Sequence, residues 1–121
     1  MMNPYQKYMQ QSVNTMTPAQ LLLALYDKAI TELNKGIIFI EDKDIPKAHN
    51  SITRVSEIVD ALDANLKVKY EISDSLATLY QYFRERLVQA NIKKDPEILK
   101  ELIPMFQEIR DAFAEASKMT H

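Results

Sequence analysis

Gly36 is the only glycine in 121 residues, and that scarcity narrows the fold more than any other feature. Tight hairpins between strands draw on residues at positive φ, a conformation glycine adopts without steric cost. A chain with one glycine can supply few such turns. Helices ask for none, so the expectation is an all-α fold. With 46% hydrophobic and 26% charged residues, the chain has enough apolar side chains for a core and enough charge to stay in water. Its length suits one domain, residues 1–121, rather than two.

Helix boundaries follow from caps and apolar spacing. Thr17 is placed to cap, Pro18 suits the first helical position, and Gln20 completes a capping box. Leu22, Leu25, Tyr26, Ala29, Leu33, Ile37 and Ile40 then share one face up to about Glu41, with Gly36 as a local weak point. Asp44 and Pro46 open a second helix whose stripe is Ala48, Ile52, Val55, Val59, Leu62 and Leu66. A short connection, residues 67–71, leads to a third stripe of Ile72, Leu76, Leu79, Phe83, Leu87 and Ala90. Asp95-Pro96 repeats the acidic cap and early proline before Leu99, Leu102, Phe106, Ile109, Phe113 and Ala116. Steps of three and four mark helices that pack along their length. Short connections make neighbours antiparallel, so the spacing predicts an up-down-up-down four-helix bundle over residues 17–121, preceded by a short amino-terminal helical segment, residues 1–16. Pro104, inside the fourth helix, removes a backbone donor and predicts a kink there.

Several chemistries are excluded at this level. There is no cysteine, hence no disulfide, thiolate metal site or cysteine nucleophile. A carboxylate-bridged metal bundle needs Glu-x-x-His pairs, but Pro46 and Lys118 stand three residues before the two histidines, His49 and His121. One glycine cannot build a phosphate-binding loop or a nucleophile elbow. Glu57, Asp60 and Asp63 read as solubilising charges. The expectation is a protein that is not an enzyme and carries no cofactor or metal. A net charge of −2 and a pI near 5.7 give no electrostatic ground for nucleic-acid binding. No apolar run approaches the ~20 residues of a membrane span, and no secretory leader pattern opens the chain. The cytoplasm is the expected compartment, without membrane insertion.

Some apolar residues fall outside the four stripes: Leu21, Ile30, Ile38, Ile58, Tyr80, Tyr82, Val88 and Met105. More telling is the opening segment, where Tyr5, Tyr8, Met9, Val13 and Met16 form an apolar, partly helical pattern ahead of a complete bundle. It can dock permanently and cover spare surface, or dock loosely and yield to a partner helix.

Four stretches resemble the FliS family of flagellar export chaperones. They are Asn3-Pro4-Tyr5-Gln6-Lys7-Tyr8 with Gln11-Ser12-Val13-Asn14-Thr15; Thr17-Pro18 leading to Leu25-Tyr26-Asp27; the run from Leu79 to Asp95; and Ile109-Arg110-Asp111-Ala112-Phe113. The resemblance implies an antiparallel bundle that binds the carboxy-terminal region of flagellin one-to-one, blocks premature polymerisation and presents the subunit to the type III export apparatus. Export-gate, filament-cap or regulatory flagellar proteins are further candidate partners. It implies partner contact for Tyr5 and Tyr8, with Val13, Tyr80, Arg86 and Asn91 as further candidate binding residues. For Arg86 a structural salt bridge is an equal alternative, and for Asn91 a helix-end role. Pro104 and Phe113 depart from the family pattern, the latter where tryptophan is familiar. The competing reading is a self-associating helical module of flagellar assembly.

Overall fold

The computed structural model describes residues 3–7, 16–65 and 73–119. Four long helices dominate these residues: α1 (Pro18–Glu41), α2 (Ile45–Asn65), α3 (Ser73–Lys93) and α4 (Pro96–Met119). A helical turn at residues 4–7 precedes them, and the described residues contain no strand. None of the helices is long and apolar enough to cross a membrane.

Caps set the boundaries as the spacing predicts. The Thr17 hydroxyl accepts from the Gln20 amide at 3.1 Å, and the Gln20 side chain accepts from the Thr17 amide at 2.9 Å, satisfying two of the amides a helix start leaves open. The two turns at the far end of the bundle share another device. Asp44 N donates to Phe39 O and Lys43 N to Ile40 O, while Lys43 takes φ 61°. This is the pattern in which one left-handed residue closes a helix. Asp95 N likewise donates to Ala90 O, with Lys94 at φ 50°. In each turn the following aspartate also caps the next helix, Asp44 Oδ1 accepting from Lys47 N and Asp95 Oδ1 from Glu97 N. One residue thus ends one helix and begins another, which folds the chain straight back.

Contacts between neighbours run in opposite order along the two partners. Glu32 meets Arg54 and Gly36 lies beside Ser51 across α1 and α2. Asp27 meets Arg110 and Gly36 faces Leu99 across α1 and α4. Asp60 meets Arg84 and Asn91 meets His49 across α2 and α3, while Phe83 meets Phe106 and Arg86 meets Glu101 across α3 and α4. Each of these pairs is therefore antiparallel, and α1 closes the ring by packing on both α2 and α4.

The stripes form the core. Ile40, Leu79, Ile109 and Phe113 are half-buried and Ala116 is exposed, but the other described stripe positions are buried; Leu66 and Ile72 lie outside the described residues. Three residues expected outside the stripes, Leu21, Ile58 and Tyr80, are core residues instead. Each helix borders two neighbours, so its buried arc is wider than one three-four seam. Gly36 finds its reason here too. A methyl group built on it would meet Leu99 Cδ1 at 3.0 Å, with Ile52 and Ser51 at 3.8 Å, so the glycine lets three helices approach. Helix α4 continues through Pro104, which is exposed, leaving the Lys100 carbonyl that loses its donor on the watered side.

Candidate partner-binding surface

The amino-terminal turn is a small capped unit. Asn3 Oδ1 accepts from the amides of Tyr5 and Gln6, both at 3.0 Å, and Asn3 N donates to Gln6 Oε1 at 3.1 Å. With Pro4 in the first helical position, this repeats in miniature the capping logic of α1. The same side chains fasten the turn to α2. Asn3 Nδ2 donates to Glu57 O at 2.9 Å, and Gln6 Nε2 reaches Asp60 O at 3.5 Å. Tyr5 lies half-buried against the core. Burial first, and then the charges of Glu32 and Glu57, push its phenol above the ordinary tyrosine value.

Beside this turn, in the seam of α1 and α2, lies Glu32, with only 1% of its side chain exposed. Three cations surround it: Arg54 Nη1 at 3.4 Å, Lys35 Nζ at 3.5 Å and Lys28 Nζ at 4.0 Å. The sequence carries a signal for this burial. Glu32 stands three residues after Ala29 and four before Gly36, on the register of Leu22, Leu25 and Ala29.

The remaining candidate residues are dispersed. Tyr8 and Val13 lie outside the described residues. Tyr80 is only 1% exposed, which corrects the expectation of an available surface ring. Its hydroxyl bonds that of Tyr26 across the diagonal of the bundle. Burial pushes Tyr80 up to about 12 and Tyr26 well above the usual range. Arg86 joins α3 to α4 by donating to Glu101 Oε2 at 2.7 Å, and Tyr82 donates to Glu101 Oε1 at 2.6 Å. The Arg86 side chain also donates to Gln89, leaving a buried Nε without a hydrogen-bond partner. Asn91 joins α3 to α2 on the opposite flank, its Nδ2 lying 3.0 Å from His49 Nδ1. Its Oδ1 accepts from Lys94 Nζ at 2.7 Å, holding the left-handed Lys94 in place. Arg86 and Asn91 therefore hold helices together in the free fold, and the described candidates occupy three different seams rather than one pocket.

Other motif residues do similar work. Asp27 accepts from Arg110 at 2.9 Å, tying α1 to α4, and the Phe113 ring lies 5.8 Å from that of Tyr26. Asp60 and Asp63, expected as plain surface charges, grip Arg84 at 2.9 and 2.7 Å. Among the described residues no group of three or more potential metal ligands converges. What the geometry shows is the chain's own first turn resting against α2 and the core.

Comparison with known proteins agrees with this architecture. The family model described as "Flagellar protein FliS" matches residues 1–120. The flagellar secretion chaperone FliS of Bacillus subtilis (strain 168) is 36% identical over 114 residues, spanning 94% of this chain and 86% of that protein. The protein of the same name from Salmonella typhimurium (strain LT2) is 29% identical over 109 residues, covering 88% and 81%, and that of Escherichia coli (strain K12) 25% over 108 residues, covering 87% and 79%. A match running nearly end to end, on a helical bundle whose conspicuous motifs tie helix to helix, places this chain in the FliS family of flagellar secretion chaperones, a family of chaperones rather than enzymes.

Proposed function

We propose that this protein is a cytoplasmic, flagellin-specific export chaperone that binds the disordered carboxy-terminal region of flagellin one-to-one. It prevents premature polymerisation and delivers the subunit to the type III export apparatus. The observation that carries the reading is the first turn. It rests on a bundle that already has its own core and, among the described residues, is held by two neutral amide bonds to α2 carbonyls and one half-buried tyrosine. An element fastened so lightly is suited to being replaced by a helix of another chain. That its relatives are flagellar secretion chaperones supports a secreted flagellar client.

Ordering a disordered tail costs ~2–5 kcal/mol or more, so a long contact is required. Helices of 24 residues, about 36 Å at 1.5 Å per residue, provide it, and the spread of Tyr5, Arg86 and Asn91 over three seams suits a tail wrapped around the single domain. Export-gate, filament-cap and regulatory flagellar proteins are candidate competitors for the same surface.

Titrating a carboxy-terminal flagellin peptide in a calorimeter is expected to give heat and a strongly negative heat-capacity change; silence at high micromolar concentration would refute the proposal. Replacing Tyr5 and Tyr8 with Lys is expected to weaken binding while the melting temperature stays nearly unchanged.

A second reading, self-association, draws on Val88 and Ile92. One turn apart on α3, they are 57% and 78% exposed. Sedimentation separates the two readings, because a concentration-independent dimer favours the second.

A further inference from the structure

Resting on the reading above, in which a client segment displaces the first turn, we propose that the accepted segment is acidic and sets a carboxylate against Lys28, Lys35 and Arg54, the three cations gathered over Glu32.

The case starts from what a partner meets at the seam of α1 and α2. Lys28, Glu32 and Lys35 follow one another a turn apart on α1, and Arg54 reaches across from α2. Glu32 has only 1% of its side chain exposed, whereas Lys28, Lys35 and Arg54 are 46%, 49% and 49% exposed. The anion therefore lies beneath and the cations face water. Glu57 is half-buried one turn farther along α2, yet even with it the cations outnumber the carboxylates here. Other acidic groups on these helices have their own partners: Asp44 pairs with Lys47 at 3.7 Å toward the far end, and Asp60 with Arg84 at 2.9 Å. In a chain of net charge −2, this is a local reversal of sign, and it suits an anionic partner.

The cluster is also held ready. Lysine heads sit on flexible stems and repel one another, so they gather only where something binds them. A buried carboxylate 3.4 to 4.0 Å from all three cations does so, which lowers the ordering that binding still requires.

The location explains how a client wins the site. The phenol of Tyr5 feels the charges of Glu32, Glu57 and Arg54, so the first turn stands against this cluster. Residues 3–7 bring no carboxylate to it; the single charged residue among them is Lys7, a further cation. A ligand shifts an equilibrium only by its differential interaction with the two states. An acidic segment has that advantage over the chain's own turn, because it neutralises the seam and the turn does not.

Calorimetry on the full-length protein tests this with two carboxy-terminal flagellin peptides, the native one and one with its Asp and Glu residues changed to Asn and Gln. The titrations are run at about 0.05 and 0.5 M salt, between which the screening length shortens about threefold. An exposed ion pair changes an equilibrium by a factor of about one and a half to five. Neutralising the peptide, or changing Lys28 and Lys35 together to Gln, is therefore expected to weaken binding roughly three- to tenfold at low salt and to flatten its salt dependence. The two losses are expected not to add, because they remove the same contact. Arg54 stays in the variant as the nearest partner of Glu32, and the melting temperature is expected to change little. Equal affinity of the two peptides for wild type overturns the proposal, as does unchanged binding by the variant or a pair of losses that add in full. Should the double variant not fold, Lys35→Gln alone takes its place, and the comparison of the two peptides on wild type decides by itself. Failure of wild type to bind either peptide is a separate result, and it rejects the chaperone reading itself.

Discussion

Helix α3 and the amino-terminal turn rest on the same bundle but are held by different forces. The third helix inserts Leu76, Tyr80, Phe83, Leu87 and Ala90 into the core and adds charged bonds on both flanks, Arg84 to α2 and Arg86 to α4. Among the described residues the turn contributes one half-buried ring and two amide bonds to backbone carbonyls. Apolar area removed from water stabilises by about 25 cal/mol per Å², so α3 belongs to the cooperative unit while the turn can open locally. The contrast also separates two kinds of sequence motif. The run from Leu79 to Asp95 is conspicuous because it builds the bundle, and Asn3-Pro4-Tyr5-Gln6 because it docks on it.

Four substitutions can break or sharpen that contrast. The largest effect is expected from Phe83→Ala. Phe83 is fully buried and stacks on Phe106 with ring centroids 4.4 Å apart, so the loss is about 3–5 kcal/mol by denaturant unfolding; a much smaller loss would show that α3 is not part of the cooperative core.

Next is Tyr26→Phe, which strands the Tyr80 hydroxyl in the interior at a cost of about 1–3 kcal/mol. The Tyr26→Phe, Tyr80→Phe double variant is expected to recover much of it, and a double-mutant cycle measures the coupling. The same pair sets an alkaline limit. Both folded phenols lie above the unfolded value because burial disfavours the phenolate. Their contribution is therefore complete below the ordinary tyrosine pKa near 10 and is lost as pH rises from there through about 12. The double phenylalanine variant should unfold at higher pH than wild type in an alkaline titration followed by circular dichroism.

A gain of about 0.5–1 kcal/mol is expected from Lys43→Gly, since Lys43 holds φ 61° in a position where glycine avoids the Cβ penalty. Smallest of all is Asn3→Ala. It releases the bond to Glu57 O, and the melting temperature should scarcely move while amide exchange in residues 4–7 accelerates. A drop comparable to that of Tyr26→Phe would place the turn inside the cooperative unit and erase the contrast.

Much of the bundle was legible in the chain because helices announce themselves locally. Thr17-Pro18-Ala19-Gln20, Asp44 with Pro46, and Asp95-Pro96 each satisfy helix-start amides within four residues, and that chemistry is complete in the sequence. The binding surface was less legible. Arg86 and Asn91 stand in a recognisable motif, yet what they touch depends on Glu101 and His49, residues 15 and 42 positions away. Tyr80 falls outside a single three-four seam yet is buried, because a helix in a four-membered ring buries against two neighbours.

Local order, then, was settled by the sequence alone: one glycine, repeated caps and three-four spacing leave antiparallel helices as the way to bury 46% hydrophobic residues. The tertiary structure decided everything that depends on distances between helices. It turned Gly36 from a weak point into the place where three helices approach, joined Tyr26 to Tyr80 across 54 residues, and sealed Glu32 inside a seam. Periodicity specifies which face of a helix turns inward, but only packing determines which neighbour meets that face and how closely. For Glu32, that packing is what surrounds a buried carboxylate with three cations.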